Sequence, residues 1–453
     1  MTPDITIYFQ AAVEKIKSHP KDQQIRIVSH YDADGISAAA IIALALRREG
    51  YSFHATLMRN PFTKGLDRLK TEDNTLIIFT DMVSGQLKRI EELNTPSIIL
   101  DHHQHHHDTT HPDIIQINAN SYNINGNYEA CGATLAYGLA KTLNPNNHDL
   151  SIYGLTGAVG DKQHIGGLRG YNKTVLDDAK KHNHITTNTT IKLAGPTIKD
   201  ALTDSIEPYY PQLSGNKKEV QKLLTNLNID SFNSPQQLTE DQHKKLQSLL
   251  YLRLIKAGIK DNILETVIRQ RWHSPKLNTE IERFADLLDS AGKTNHRGLA
   301  LALALDPSNN WEEALKIEQE YKTPILQGLQ SLETGGLLEK NSYSYFYNDH
   351  SSLGGVIAGI AANYILAGKR PLISLVRKEE DNEIHISARG SQELVKAGLD
   401  LGAAMNTAAK PINGHGGGHM IAAGATIPLD KEDDFLSKVD TIITTQLKGE
   451  HSP

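Results

Sequence analysis

A chain of 453 residues exceeds what one ordinary hydrophobic core organises and predicts two or three domains. Hydrophobic residues at 39% and charged residues at 22% fit a soluble globular protein, and no apolar run approaches the roughly 18 residues of a membrane-spanning helix. A net charge of −6 excludes a wholly basic nucleic-acid coat protein, while a local basic groove stays open.

The N-terminal residues 1–10 lack a basic region followed by an apolar core, so no signal peptide is expected. The single cysteine, Cys131, excludes an internal disulfide framework and predicts a reducing, cytoplasmic location. From residue 24 to 161 apolar strands alternate with helices. Strands are predicted over 25–29, 51–58, 75–80, 97–100 and 113–118, and helices over 36–48, 86–93, 132–143 and 150–159. That alternation predicts an α/β domain with a doubly wound parallel sheet covered on both faces. Residues 195–340 turn helical, with apolar spacing in 220–227, 242–257 and 281–288 and breaks at Pro208, Pro211, Pro235 and Pro275. A smaller C-terminal α/β domain follows, with strands over 343–347, 371–376, 383–387 and 420–427 and helices over 353–366, 392–405 and 431–447. The expected division is therefore 1–194, 195–340 and 341–453.

The acids of the first domain fall where its strands end. Asp32 and Asp34 flank Ala33 just past the first strand, Asp81 ends another, Asp101-His102-His103 follows a third, and Asp161 closes the helix over 150–159. In an open parallel sheet these positions form the rim outside the carboxyl ends, where ligands bind. Each alone has an ordinary explanation: Asp-x-Asp-Gly as a turn, Asp81 as a helix cap, the triplet as a surface loop. Together they predict a cation site. Carboxylates with imidazole favour Mn²⁺ or a similar divalent ion over a thiolate-bound zinc. Five or six such ligands suffice for two ions, and two ions about 3.5–4 Å apart support in-line phosphoester hydrolysis. The further histidines His105, His106, His107 and His111 read as a solvated loop. In the C-terminal domain Arg389 offers a planar fork for phosphate oxygens, and Gly416, Gly417 and Gly418 let backbone N–H groups approach an anion. Ser387 shares the Arg389 strand, and His419, Asn413 and His415 stand beside the glycines; the alternative is a glycine-rich turn with Arg389 in a surface ion pair.

These residues resemble the DHH phosphoesterase superfamily. The resemblance rests on His30-x-Asp32-x-Asp34-Gly35, Asp81, Asp101-His102-His103 and Gly157-Ala158-Val159-Gly160-Asp161. Its second domain, the DHH-associated domain, is matched by Ile386-Ser387-Ala388-Arg389-Gly390 and by Gly414-His415-Gly416-Gly417-Gly418-His419 with Ala422-Ala423-Gly424. Within that superfamily the chain looks most like archaeal RecJ-like proteins of the GINS-associated nuclease type.

The resemblance implies a metal-dependent hydrolase with Asp32, Asp34, Asp81, His102 and Asp161 as manganese ligands and Asp81 as the bridge, Mg²⁺ or Co²⁺ being alternatives. His30 is a further candidate, two residues before Asp32 rather than the four found in some members. Asp101, His102 and His103 would form the catalytic triplet, His103 against the scissile phosphate or supporting the ligands. Arg389, Ser387, the glycines and His419 would bind substrate. The activity implied is exonucleolytic cleavage of single-stranded DNA or RNA in repair or replication, with Lys192, Lys199, Lys217 and Lys218 as candidate cleft-edge charges. The alternatives are a phosphodiesterase on short oligoribonucleotides or cyclic dinucleotides, and a replisome scaffold docking on GINS. No membrane association is implied.

Overall fold

The computed structural model describes residues 4–62, 64–350 and 352–448, so the first three residues of the N-terminal stretch lie outside it. The chain divides into two compact units, one of residues 1–189 with 270–321 and one of residues 190–269 with 322–453. The stretch expected as a helical middle region thus contributes to both. Among the described residues no helix is long and apolar enough to cross a membrane.

The first unit is built on five parallel strands: β1 (Ile25–His30), β2 (Phe53–Met58), β3 (Ile77–Thr80), β4 (Ser97–Asp101) and β5 (Ile114–Asn118), ordered β2-β1-β3-β4-β5. β3 is buried throughout, as expected of a strand covered on both faces. The helices of this unit that bear on the site are α1 (Ile5–Lys17), α2 (Ala33–Arg48), α3 (Gly132–Leu143), α4 (Ser151–Gly160), α5 (Gly170–Lys181), α6 (Ile281–Lys293) and α7 (Arg297–Leu305). Fourteen consecutive residues of α2, Ala33 to Leu46, are buried. Its nearly unbroken Ala, Ile and Leu composition follows, because a helix enclosed on every side has no polar stripe. α3, α4, α6 and α7 all pack against it. α1, which hydropathy alone left unassigned, starts at Asp4, whose side chain accepts from Thr6 N, and buries Phe9 and Ile16 in the same core.

This strand order reverses direction between β1 and β3, the topological switch point at which doubly wound sheets open a crevice. His30, Asp32 and Asp34 leave β1 there, and Asp81 leaves β3. Just below them Thr80 Oγ1 donates to Ser29 Oγ at 2.6 Å, and Ser29 Oγ donates to Gly35 O at 2.6 Å, tying the two strand ends together.

The second unit carries a mixed six-stranded sheet of β6 (Leu338–Glu339), β7 (Ser344–Tyr347), β8 (Leu372–Lys378), β9 (Glu383–Arg389), β10 (His415–Gly418) and β11 (Ala422–Pro428), ordered β10-β11-β9-β8-β7-β6. Only β7 and β8 run parallel. β9 buries alternate residues, Ile384, Ile386 and Ala388, against α9 (Leu401–Ala409) and α10 (Glu432–Lys448), while α8 (Gly354–Tyr364) contacts β8 and β9. Two expectations change here. The helix expected over 392–405 is two helices, Gln392–Lys396 and α9, parted at Gly398 (φ +98°), with Ser391 and Asp400 capping each in turn. The glycine cluster, read as the approach to a strand, is itself strand β10.

Candidate metal centre

Asp32 caps α2, its Oδ1 accepting from Gly35 N at 3.1 Å. Asp34, in the first turn of the helix, is fully buried and aimed at the start of α3. There Oδ2 accepts from Gly132 N at 2.7 Å and Oδ1 from Ala133 N at 2.8 Å, so a helix N-terminus fixes both oxygens. Asp161 sits at the C-terminal end of α4. Close approach of these helices depends on glycine: a Cβ at Gly157 would stand 2.2 Å from Asp34 Oδ1, and one at Gly132 would stand 2.6 Å from Asp81 Cβ.

Asp81 and Val83 both adopt left-handed backbone, φ +57° and +81°. For a β-branched residue this is a true outlier, and strain of this sort costs about 1–3 kcal/mol. The turn is held by Asp81 N donating to Leu100 O at 2.8 Å and Ser84 N donating to Asp101 Oδ2 at 2.9 Å. Its result is to turn the Asp81 carboxylate inward, where it is 2% exposed.

His102 completes the centre. Its Nδ1 donates to Gly126 O at 2.6 Å, which leaves Nε2 facing three carboxylates: Asp81 Oδ1 at 3.1 Å, Asp161 Oδ2 at 3.3 Å and Asp34 Oδ2 at 3.7 Å. Gly126 O also accepts from Gln163 Nε2 at 2.9 Å, and Asn172 Nδ2 donates to Gln163 Oε1 at 2.5 Å, so a buried amide chain braces the ring from behind. Asn120 Nδ2 donates to His102 O at 2.9 Å and Asn118 Nδ2 to His103 O at 3.0 Å. A side chain at 126 would meet His102 O at 1.9 Å, so only glycine fits there.

Three groups of donors converge: His30, Asp32 and Asp81; Asp34, His102 and Asp161; and Asp81, His102 and His103. Asp81 belongs to two of them, as does His102. Asp101 belongs to none. It is fully buried beneath the two histidines, accepting from the backbone N–H groups of His102 at 2.8 Å and His103 at 3.2 Å and from His103 Nδ1 at 2.8 Å. It therefore orients His103, whose side chain is 55% exposed and faces solvent. His105 pairs with Asp108 at 2.8 Å and stands outside the convergent groups.

The electrostatics fit a cation. Burial raises the Asp34 carboxyl to about 7, with the Asp81 charge adding to it, and burial together with Asp34 pushes Asp161 up as well. Burial also works against ionisation of Asp81, but the hydrogen bonds and charges of His102 and His30 outweigh it and hold that carboxyl far below its usual range. Burial lowers His30, yet Asp32 and Asp81 raise it to about 11. His30 Nδ1 lies 2.8 Å from Asp32 Oδ2 and is buried without hydrogen-bond alignment to any partner among the described residues. A ring nitrogen so placed, together with four clustered carboxylates, is a donor set suited to a hard or borderline divalent ion.

In the second unit Ser387 and Arg389 project from one face of β9 against Gly355, in the first turn of α8, where a Cβ would stand 2.7 Å from Arg389 Nη2 and 3.4 Å from Ser387 Oγ. Arg389 is half-buried, desolvation lowers its pKa, and no carboxylate pairs with it among the described residues. β11 brings the 418–422 turn to the same sheet end, through the registers Arg389–Ala422 and Gly418–Ala423. The glycines differ in purpose. A Cβ at Gly416 would stand 2.6 Å from Met405 O and one at Gly418 (φ +138°) 2.6 Å from Ala423 Cα, so packing demands glycine at both, whereas one at Gly417 would meet nothing within 4 Å. His419 is exposed and closes the turn, its N donating to Ala422 O at 2.8 Å.

Residues 24–156 match the N-terminal domain of the DHH family, and residues 342–445 match the DHHA1 domain. The chain carries a DHH domain followed by a DHHA1 domain. Members of that family are metal-dependent phosphoesterases, and the centre described above lies in and just beyond the DHH domain. The protein MJ0831 of Methanocaldococcus jannaschii, described as uncharacterized, is 29% identical over 446 residues, covering 97% of both chains. Among solved structures, CDC45 from Entamoeba histolytica aligns over 97% of this DHH chain and 99% of its own, with a TM-score of 0.67 and 14% identity. Manganese-bound exonuclease RecJ aligns over 98% and 95%, with a TM-score of 0.57 and 15% identity. RecJ in complex with Mn²⁺ from Thermus thermophilus aligns over 97% of this chain but 54% of its own, with a TM-score of 0.58 and 15% identity. These likenesses show a shared fold.

Proposed function

We propose that the protein is a divalent-metal-dependent phosphodiesterase that degrades single-stranded DNA or RNA from an end. The observation that carries this is the meeting of four carboxylates and three imidazoles around Asp81 and His102, at the switch point of the sheet. Asp32, Asp34, Asp81, Asp161, His102 and His30 would hold two ions, Mn²⁺ suiting this mixed oxygen and nitrogen donor set. Bound there, the ions supply Lewis acidity and a hydroxide nucleophile at neutral pH. The protein's own part is positional. Gly126 O holds His102 with Nε2 toward the carboxylates, the start of α3 holds Asp34, and Asp101 keeps His103 at the solvent edge, where a scissile phosphate would arrive. His103, raised in pKa by its hydrogen bond to Asp101, is a proton donor suited to a phosphate oxygen or leaving group. Ser387, Arg389, the backbone at Gly417 and His419 would bind substrate phosphate, as the absence of an acidic partner for Arg389 among the described residues supports.

A scaffold without catalysis would not require this complete donor set, which favours the hydrolase. The test is Mn²⁺-dependent degradation of a single strand labelled at the 5′ or the 3′ end, with His102→Ala alongside. Stepwise shortening by the wild type alone is expected and gives the polarity. Equal degradation by the variant, or none by either, would refute the assignment.

A further inference from the structure

Residues between the two matched domains hold a basic groove. Lys199, Lys217, Lys218 and Lys222 line it with Gln221, Thr225 and Asn226, around a volume of about 490 Å³. Three of these lysines belong to the helix Lys217–Asn226, and two fall in its first turn, where the backbone N–H groups already create positive potential. Cations are unfavourable there unless an anion joins them. On that helix they face one acid, Glu219. None of the four has a carboxylate within ion-pair reach among the described residues. The neighbouring acids are engaged locally: Asp200 accepts from Thr197 Oγ1 at 2.6 Å, and Asp230 accepts from Phe232 N at 3.0 Å. In a chain of net charge −6 this concentration of unpaired positive charge stands apart.

A second observation adjoins it. Phe232 is 78% exposed, more than the other large apolar side chains left in solvent. It sits on the turn whose Ser231 and Asn233 carbonyls accept from Lys199 N at 3.3 Å and Ile198 N at 2.8 Å. The ring is thus anchored through the backbone to the lysine-bearing segment while contributing almost nothing to the core. Ammonium groups for phosphates, a free aromatic face for a base, and amide and hydroxyl side chains along the groove are the parts by which proteins hold single strands without sequence preference. An acidic peptide would match the lysines but not the ring, and a duplex exposes no base face to stack.

We infer that this groove is a binding site for single-stranded nucleic acid, with Lys199, Lys217, Lys218 and Lys222 on phosphates and Phe232 stacked on a base. It rests on the proposed function only for the class of substrate.

The test uses the full chain in EDTA, so that hydrolysis does not intervene, and the fluorescence anisotropy of a labelled oligothymidylate of about 30 nucleotides, long enough for several binding sites. Replacing all four lysines by Ala should weaken binding at least about 10-fold and flatten the slope of log K against log salt by up to about 0.7 per lost phosphate contact. Phe232→Ala should weaken it by about 5-fold or more with the slope unchanged. Unaltered Mn²⁺ affinity in both variants shows that the fold is intact. Wild-type affinity and slope in the lysine variant would overturn the inference, as would a wild type that fails to bind. Competition by polyglutamate as strong as that by unlabelled strand, with no effect of Phe232→Ala, would also overturn it and assign the groove to an acidic protein. A wild type that binds in EDTA yet fails to cleave with Mn²⁺ would refute the proposed hydrolase and leave the groove standing.

Discussion

Gly157→Ala tests whether helix packing sets the position of a metal ligand. The new Cβ would lie 2.2 Å from Asp34 Oδ1 and 2.4 Å from Ala133 Cβ, where ordinary contact begins near 3.4 Å, so about 1 Å of relief is needed on both sides. Neither neighbour can yield alone. Asp34 Oδ1 is held by Ala133 N at 2.8 Å and Oδ2 by Gly132 N at 2.7 Å, and Ala133 belongs to α3 itself. α4 must therefore back away from α2 and α3, taking Asp161 with it. Overpacking of this kind costs about 1–3 kcal/mol, and a 1 Å displacement at a reacting centre costs about 100-fold in rate. Gly298→Ala is the control, since nothing lies within 4 Å of its added methyl and alanine favours the helix by up to about 1 kcal/mol. Thermal unfolding and Mn²⁺ titration of both variants give the readouts. A Gly157→Ala protein that unfolds like the wild type and binds Mn²⁺ equally well would refute the reasoning.

Three further substitutions separate the parts of the account. Gln163→Leu removes the donor to Gly126 O and the acceptor for Asn172, and should lower Mn²⁺ affinity or hydrolysis about 10- to 100-fold by calorimetry and rate; a change under about 2-fold contradicts the bracing role. Arg389→Ala should weaken strand binding while Mn²⁺ affinity holds, and equal strand affinity would remove Arg389 from the phosphate role. Asp149 tests pH dependence away from the metal centre. Burial works to raise its carboxyl, but Arg48 at 2.7 and 2.8 Å and Lys276 at 2.7 Å outweigh burial and hold it well below the usual range. Asp149→Asn should cost about 1–2 kcal/mol at neutral pH, allowing for partial exposure. Because the folded pKa is depressed, that stabilisation is complete above the unfolded value near 4 and fades as pH falls through the folded one. Denaturant unfolding across this range should show the two proteins converge in acid; a constant gap would contradict it.

The strand ends of the first unit were legible because fully buried strands write continuous apolar runs, and an acid directly after such a run has few other uses. Asp32, Asp34, Asp81 and His102 were located by that logic, whereas Asp161 ends a helix. What holds them was not. Asn118 ends β5, Asn120 and Gly126 follow it in a polar stretch whose composition says only that it turns, and Gln163 looks like any exposed amide until Gly126 and Asn172 are seen beside it. The triplet was read as one catalytic group, yet Asp101 is a buried orienting residue, a distinction set by which way a strand-end side chain faces. Charges buried in pairs hide a strand: Arg269–Ser274 falls in the stretch read as helical, and its Arg271, 3% exposed, is paired with Glu282 from α6. Helices were read over 132–143 and 150–159, but why Gly157 must be glycine is a matter of three helices meeting.

The most direct measurement is Mn²⁺ binding by the purified protein and its Asp81→Asn variant, by calorimetry and electron paramagnetic resonance, with cleavage of a labelled single strand followed in the same samples. Asp81 stands in two of the three donor groups, so the wild type should bind two ions and cleave, and the variant should bind at most one and lose cleavage. Two ions and wild-type cleavage in the variant would contradict the account at its centre.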